Sequence, residues 1–67
     1  MSRECNFYIY CFEIYKEAKN LTGRKLQALF ERYNVSKFIY DFFESLHIHG
    51  EQFIIADIDE YIAGQVA

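Results

Sequence analysis

Apolar positions recur along this chain at helical spacing, in stretches separated by short polar breaks. Phe7, Cys11, Ile14 and Ala18 form one stripe, widened by Tyr8, Phe12 and Tyr15, and Glu13, Lys16, Glu17 and Lys19 mark its wet side. That pattern predicts a helix over 4–18. Asn20 to Gly23 interrupt it, and Thr22 is placed to cap a second helix over about 23–33, where Leu26, Leu29, Phe30 and Tyr33 share a face. Asn34 can close that helix, because asparagine tolerates the left-handed conformation. Ser36 is the predicted cap of a third helix. Its stripe of Val35, Phe38, Ile39, Phe42, Phe43 and Leu46 is the cleanest in the chain, and Gly50 stops it.

The tail from Gly50 has two readings. In the favoured one, residues 52–55 are extended, since Phe53, Ile54 and Ile55 suit a strand. Asp57 then caps a final helix, with Glu60 reaching back three residues on to complete a capping box. In the other, one helix runs over 51–63. Either way the expected fold is mainly all-α, a four-helix domain over 1–67. Its core is expected to comprise Phe7, Cys11, Ile14, Leu26, Leu29, Phe30, Phe38, Ile39, Phe42, Leu46, Ile58 and Ile62.

Composition sharpens this picture. At 67 residues the chain makes one domain at most. A domain of this size buries only about 60% of its unfolded surface. Yet 52% of its residues are hydrophobic, with seven Phe and six Tyr, which is more than one small core readily hides. Tyrosine eases the problem by burying a ring while its hydroxyl stays wet. The excess points to a partner surface or a homodimer interface. The net charge of −3 gives no general attraction to nucleic acid. No run of about 18 uncharged apolar residues offers a membrane span. The first residues lack the order of a signal peptide, so the cytoplasm is the default location.

Candidate chemistry is sparse. Cys5 and Cys11, if on one helix, stand about 9 Å apart along its axis by rise alone, too far for a disulfide. Cys11 on the apolar face reads as a small buried hydrophobe, and neither cysteine sits in a nucleophile signature. His47 and His49 lack ligand spacing with each other and with the cysteines, so zinc is not expected. Asp57, Asp59 and Glu60 lack the glycine and spacing of a calcium loop, and they suit a helix start. Lys16, Lys19, Arg24 and Lys25 concentrate positive charge, and T22-G23-R24-K25 is no phosphate loop. Leu26, Phe30, the N34-V35-S36 turn and Ile39 loosely imitate a helix-turn-helix. Its second helix would present Ser36, Lys37, Tyr40, Asp41 and Glu44, and the two acids oppose phosphate and base acceptors.

The order of several segments then resembles a family of short uncharacterised bacterial proteins, classed as a domain of unknown function. The segments are Y10-C11-F12-E13-I14-Y15-K16, A18-K19-N20-L21-T22-G23, L29-F30-E31-R32-Y33-N34-V35, L46-H47-I48-H49-G50 and D57-I58-D59-E60-Y61-I62, within a match over about 6–62. Asn34 stands where the resemblance implies glycine in many relatives. The resemblance implies a helical domain with no established enzymatic activity. It further implies relatives encoded beside a larger protein similar to an ADP-ribosyltransferase, and hence an accessory, regulatory or antitoxin-like role.

The leading expectation is a noncatalytic interaction module with no cofactor, no metal and no catalytic residue. Its partner is a protein or a second copy. The candidate contacts are Tyr8, Tyr15 and Tyr40, taken as partly exposed, with Asp59 and Glu60 as an acidic rim. A small helix-turn-helix DNA-binding regulator is the alternative.

Overall fold

A computed structural model describes residues 2–66. Among them the elements are all helical: α1 (Arg3–Ala18), α2 (Gly23–Arg32), α3 (Val35–Asp41), the single turn α4 (Phe43–Leu46) and α5 (Glu51–Val66). The fold is therefore all-α, as the spacing predicts.

The boundaries follow from local chemistry. Ser2 opens α1, its Oγ accepting from the Cys5 N–H at 3.0 Å. At the other end Asn20 takes a left-handed φ of 54°. Its N–H reaches the Glu17 carbonyl, and the Leu21 N–H reaches Lys16, so carbonyls that α1 would leave unpaired are satisfied. Thr22 caps α2 as expected, accepting from the Lys25 N–H at 3.2 Å. Asn34, at φ 55°, turns the chain from α2 into α3. The predicted cap Ser36 lies inside α3 instead, because Asn34, two residues earlier, already stands at the N-cap.

Two further expectations are corrected. The third helix is not continuous: Phe42, at φ −106° and ψ 21°, separates α3 from α4. Phe43, four residues after Ile39, continues the Val35–Ile39 stripe into Leu46, and Phe42 does not. Phe43 is 6% exposed and Phe42 is 52% exposed. The cause lies on α1. The Phe7 ring meets Phe43 edge-on at 5.4 Å, the Arg3 guanidinium lies over Phe43 at 5.2 Å, and His47 stacks on it at 4.6 Å. An aromatic slot is thus filled by position 43, and position 42 is turned to solvent.

The second correction concerns the tail. Residues 52–55 are helical, within an α5 that runs unbroken from Glu51, and the Ile54 N–H bonds the Gly50 carbonyl. An extended 52–55 would have no partner strand among the described residues. A helix places Ile54 and Ile58 one turn apart on the same face, where both are buried. This burial overrides the strand preference of the isoleucines. Asp57 is consequently mid-helix and caps nothing, and no capping box forms with Glu60.

Packing is closed by the first and last helices. α1 lies against α5, α3 and α2, and α3 lies against α2 and α5. Cys11 and Tyr15 from α1, Leu26 and Phe30 from α2, Val35 and Ile39 from α3, and Ile54 and Ile58 from α5 make one buried cluster. Phe7, Ile14, Leu29, Phe38 and Ile62, expected in the core, are half-buried around it. The Tyr61 hydroxyl on α5 donates to the Tyr33 carbonyl at 2.9 Å and so seals the end of α2.

Candidate functional site

The five sequence-derived contact residues fall into three separate places. Tyr8 on α1 stacks with Tyr40 on α3, ring centres 5.9 Å apart. Tyr8 is half-buried, and Tyr40 is exposed. Burial, with a smaller contribution from the Glu31 charge, raises the Tyr8 hydroxyl above its ordinary pKa. A hydrogen bond with Cys5 does most to raise Tyr40.

Tyr15 and Asp59 form the second place. The expected partial exposure of Tyr15 is wrong: it is 4% exposed, facing the core between α1 and α5. The Phe30 ring sits 5.6 Å from it. Its hydroxyl donates to the Asp59 Oδ1 at 2.5 Å, and Lys19 Nζ donates to the Asp59 Oδ2 at 2.7 Å. Burial is the main cause of the raised Tyr15 pKa, followed by the Asp59 hydrogen bond and charge. This triad ties α1 to α5 across 40 or more positions of sequence, so both Asp59 oxygens are engaged within the fold.

Glu60 belongs to the third place, which lies between α3 and α5. Phe38 and Tyr61 stack there with centroids 4.4 Å apart and planes inclined by 14°. With Asp57 and Glu60 they line an open cleft of about 320 Å³. Phe42 extends the aromatic surface from Phe38, its ring 5.2 Å away. Phe53, one helical turn before Asp57, continues it along α5, and the His49 ring lies 5.9 Å from Phe53. His49 Nδ1 is 3.7 Å from an Asp57 oxygen. Phe42, Phe53 and Ile48 are all exposed. This surface is hidden from the sequence because Phe42 falls on the predicted core stripe and the strand preference of residues 53–55 separates Phe53 from Asp57. A continuous helix over 51–63 would have put Phe53, Asp57, Glu60 and Tyr61 on neighbouring positions of one face.

The remaining candidate groups make local contacts. Among the described residues no group of three or more His, Cys, Asp and Glu could hold a metal ion. His47 Nδ1 contacts its own helix at the Phe43 carbonyl, 2.9 Å away. Cys11 is buried, and burial pushes its thiol up to about 12, which keeps it protonated and unreactive. The basic residues are partly neutralised: Lys16 pairs with Glu13 at 3.2 Å, Lys19 with Asp59, and Lys37 with Asp41 at 2.5 Å. α3, the would-be recognition helix, has seven residues and presents that last pair. Among the described residues no helix is long and apolar enough to cross a membrane.

Comparison with known proteins gives one family match, over residues 6–64, to a model described as a protein of unknown function, DUF3791. No significant match emerges among curated proteins or solved structures. The family model takes in all of α2, α3 and α4 and nearly all of α1 and α5, and the chain belongs to the DUF3791 family.

Proposed function

We propose that this chain is a noncatalytic protein-interaction module. The observation that carries the reading is the surface around the α3–α4 break and the start of α5, where Phe42, Ile48 and Phe53 face solvent beside the Phe38–Tyr61 stack. Interfaces draw their energy from such aromatic anchors more than from scattered charge pairs. The cysteines and histidines are spent on packing and local contacts, and nothing in their arrangement supplies a nucleophile paired with a base.

The sequence resemblance suggests the first partner to try, the ADP-ribosyltransferase-like protein encoded beside relatives, with this chain as its accessory or antitoxin-like regulator. Co-purification with the protein encoded next to this chain, followed by calorimetry, tests the idea. Replacing both Phe42 and Phe53 with Ser should weaken the complex by at least about tenfold, since each anchor of an interface hot spot contributes about 1–2 kcal/mol or more. Binding that survives this change intact, or no binding at any salt concentration, would remove the regulator reading. Sedimentation of the chain alone tests whether the partner is a second copy. The DNA-binding alternative draws no support from the surface of α3, where Lys37 is paired with Asp41.

A further inference from the structure

We infer that the cleft between α3 and α5 receives a cationic side chain, preferably arginine, from an apolar-flanked segment of a protein partner; this deepens the interaction-module reading and rests on it. Three observations converge. The cleft has an aromatic wall, the Phe38–Tyr61 stack. It has two carboxylates on its rim, Asp57 and Glu60, spaced three residues apart on α5. And its geometry is set in advance, because the Tyr61 hydroxyl is anchored on the Tyr33 carbonyl. A guanidinium is a planar cation that stacks on aromatic faces and donates in a fork to carboxylates, so it satisfies wall and rim together.

The neighbouring charges favour this occupant over the others. Lys37, next to Phe38 on α3, pairs with Asp41 rather than with either rim carboxylate. Among the described residues, the ion-pair partner of Asp57 is His49, at 3.7 Å. Glu60 makes no ion pair or hydrogen bond among the described residues. A second copy of this chain would bring its own acidic rim against the first, whereas a basic segment removes the repulsion. The apolar flanks of such a segment have Phe42 and Phe53 to cover.

The test is an amide chemical-shift titration of the folded chain with three probes: N-acetyl-argininamide, N-acetyl-leucinamide and a short peptide with one arginine between leucines. The arginine probes should shift the amides of Phe38, Asp57, Glu60 and Tyr61, the peptide should also shift Phe42 and Phe53, and the leucine probe should leave the cleft unmoved. The response should shrink as salt is raised, since the charges are exposed to solvent. Asp57→Gln with Glu60→Gln should abolish it, and a melting curve checks that this variant stays folded. Glu60→Gln alone, at an exposed position, should reduce it. The inference is overturned by equal shifts from the leucine probe, by shifts spread over all surface carboxylates, by an arginine response unchanged in the double variant, or by probe-free shifts at the same residues that grow with protein concentration, which mark self-association. If the partner complex depends on Phe42 and Phe53 yet ignores Asp57 and Glu60, the cation site fails while the interaction module stands. If no partner binds at all, the module reading is the one that fails.

Discussion

Adjacent phenylalanines with opposite fates show how much one residue's phase decides. Phe43 fills the slot beside Phe7, and Phe42 faces solvent. Phe43→Ala should cost about 3–5 kcal/mol, the usual range for emptying a buried aromatic site. Phe42→Ala should stay within about 1 kcal/mol. Urea denaturation of the two variants checks the order, and a reversed order would return Phe42 to the core. The buried ionisable groups add a pH dependence. Tyr15 and Cys11 both hold their protons more tightly in the folded chain than their ordinary values of 10.0 and 9.0. A raised folded pKa means stability that is intact below the unfolded value and lost above it. Stability should therefore be flat up to about pH 8, then fall as first the unfolded thiol and then the phenol ionise. The Cys11 part is exhausted near pH 12. Changing Tyr15 to Phe and Cys11 to Ala together should flatten the alkaline limb of a stability–pH curve, whatever it costs near neutrality.

At the scale of elements, the turns carry the predictions. Asn34 is left-handed, a conformation that costs an ordinary L-residue about 1–2 kcal/mol. Asn34→Ala should destabilise by about 1 kcal/mol, and Asn34→Gly should be neutral or slightly stabilising, in keeping with the glycine that the sequence resemblance assigns to relatives. Asp57→Ala separates the two readings of the tail. An N-cap lost there would cost about 1 kcal/mol. A mid-helix aspartate beside His49 should cost no more than about 0.5 kcal/mol. Thr22, Asn34 and the apolar stripes of α1 and α2 were legible because capping and amphipathic spacing are local properties. The α3–α4 break and the continuity of α5 were not. Both depend on partners far away in sequence, the Phe7 and Arg3 slot in one case and the core face of Ile54 and Ile58 in the other. The cleft was hidden for the same reason, since Phe38 and Tyr61 are brought together only by the packing of α3 on α5.

For the molecule as a whole, size sets the tolerance. A core this small rarely supplies more than about 3–5 kcal/mol. The cost expected for Phe43→Ala is of the same size, so circular dichroism should find that variant largely unfolded near neutral pH. The exposed aromatics sit badly with such a margin unless something covers them. A fluorescence-anisotropy titration with duplex DNA at low salt should show no saturable binding, because on α3 Lys37 is paired with Asp41 and exposed Glu44 follows it. Steep salt-dependent binding would reinstate the nucleic-acid reading.

The seal that Tyr61 places on the end of α2, together with the Tyr15–Asp59–Lys19 triad, has a consequence for how the chain is born. Synthesis delivers α1 first and α5 last, yet each needs the other to bury its apolar face. Until α5 is present, α1 can pack only on α2 and α3, so the side of the core that Ile54 and Ile58 cover stays open. The core should therefore close fully only once α5 docks. A polypeptide cut after Gly50 should keep much of its helicity but bind hydrophobic dyes and lose its dispersed amide spectrum, and supplying residues 51–66 as a separate peptide should restore both.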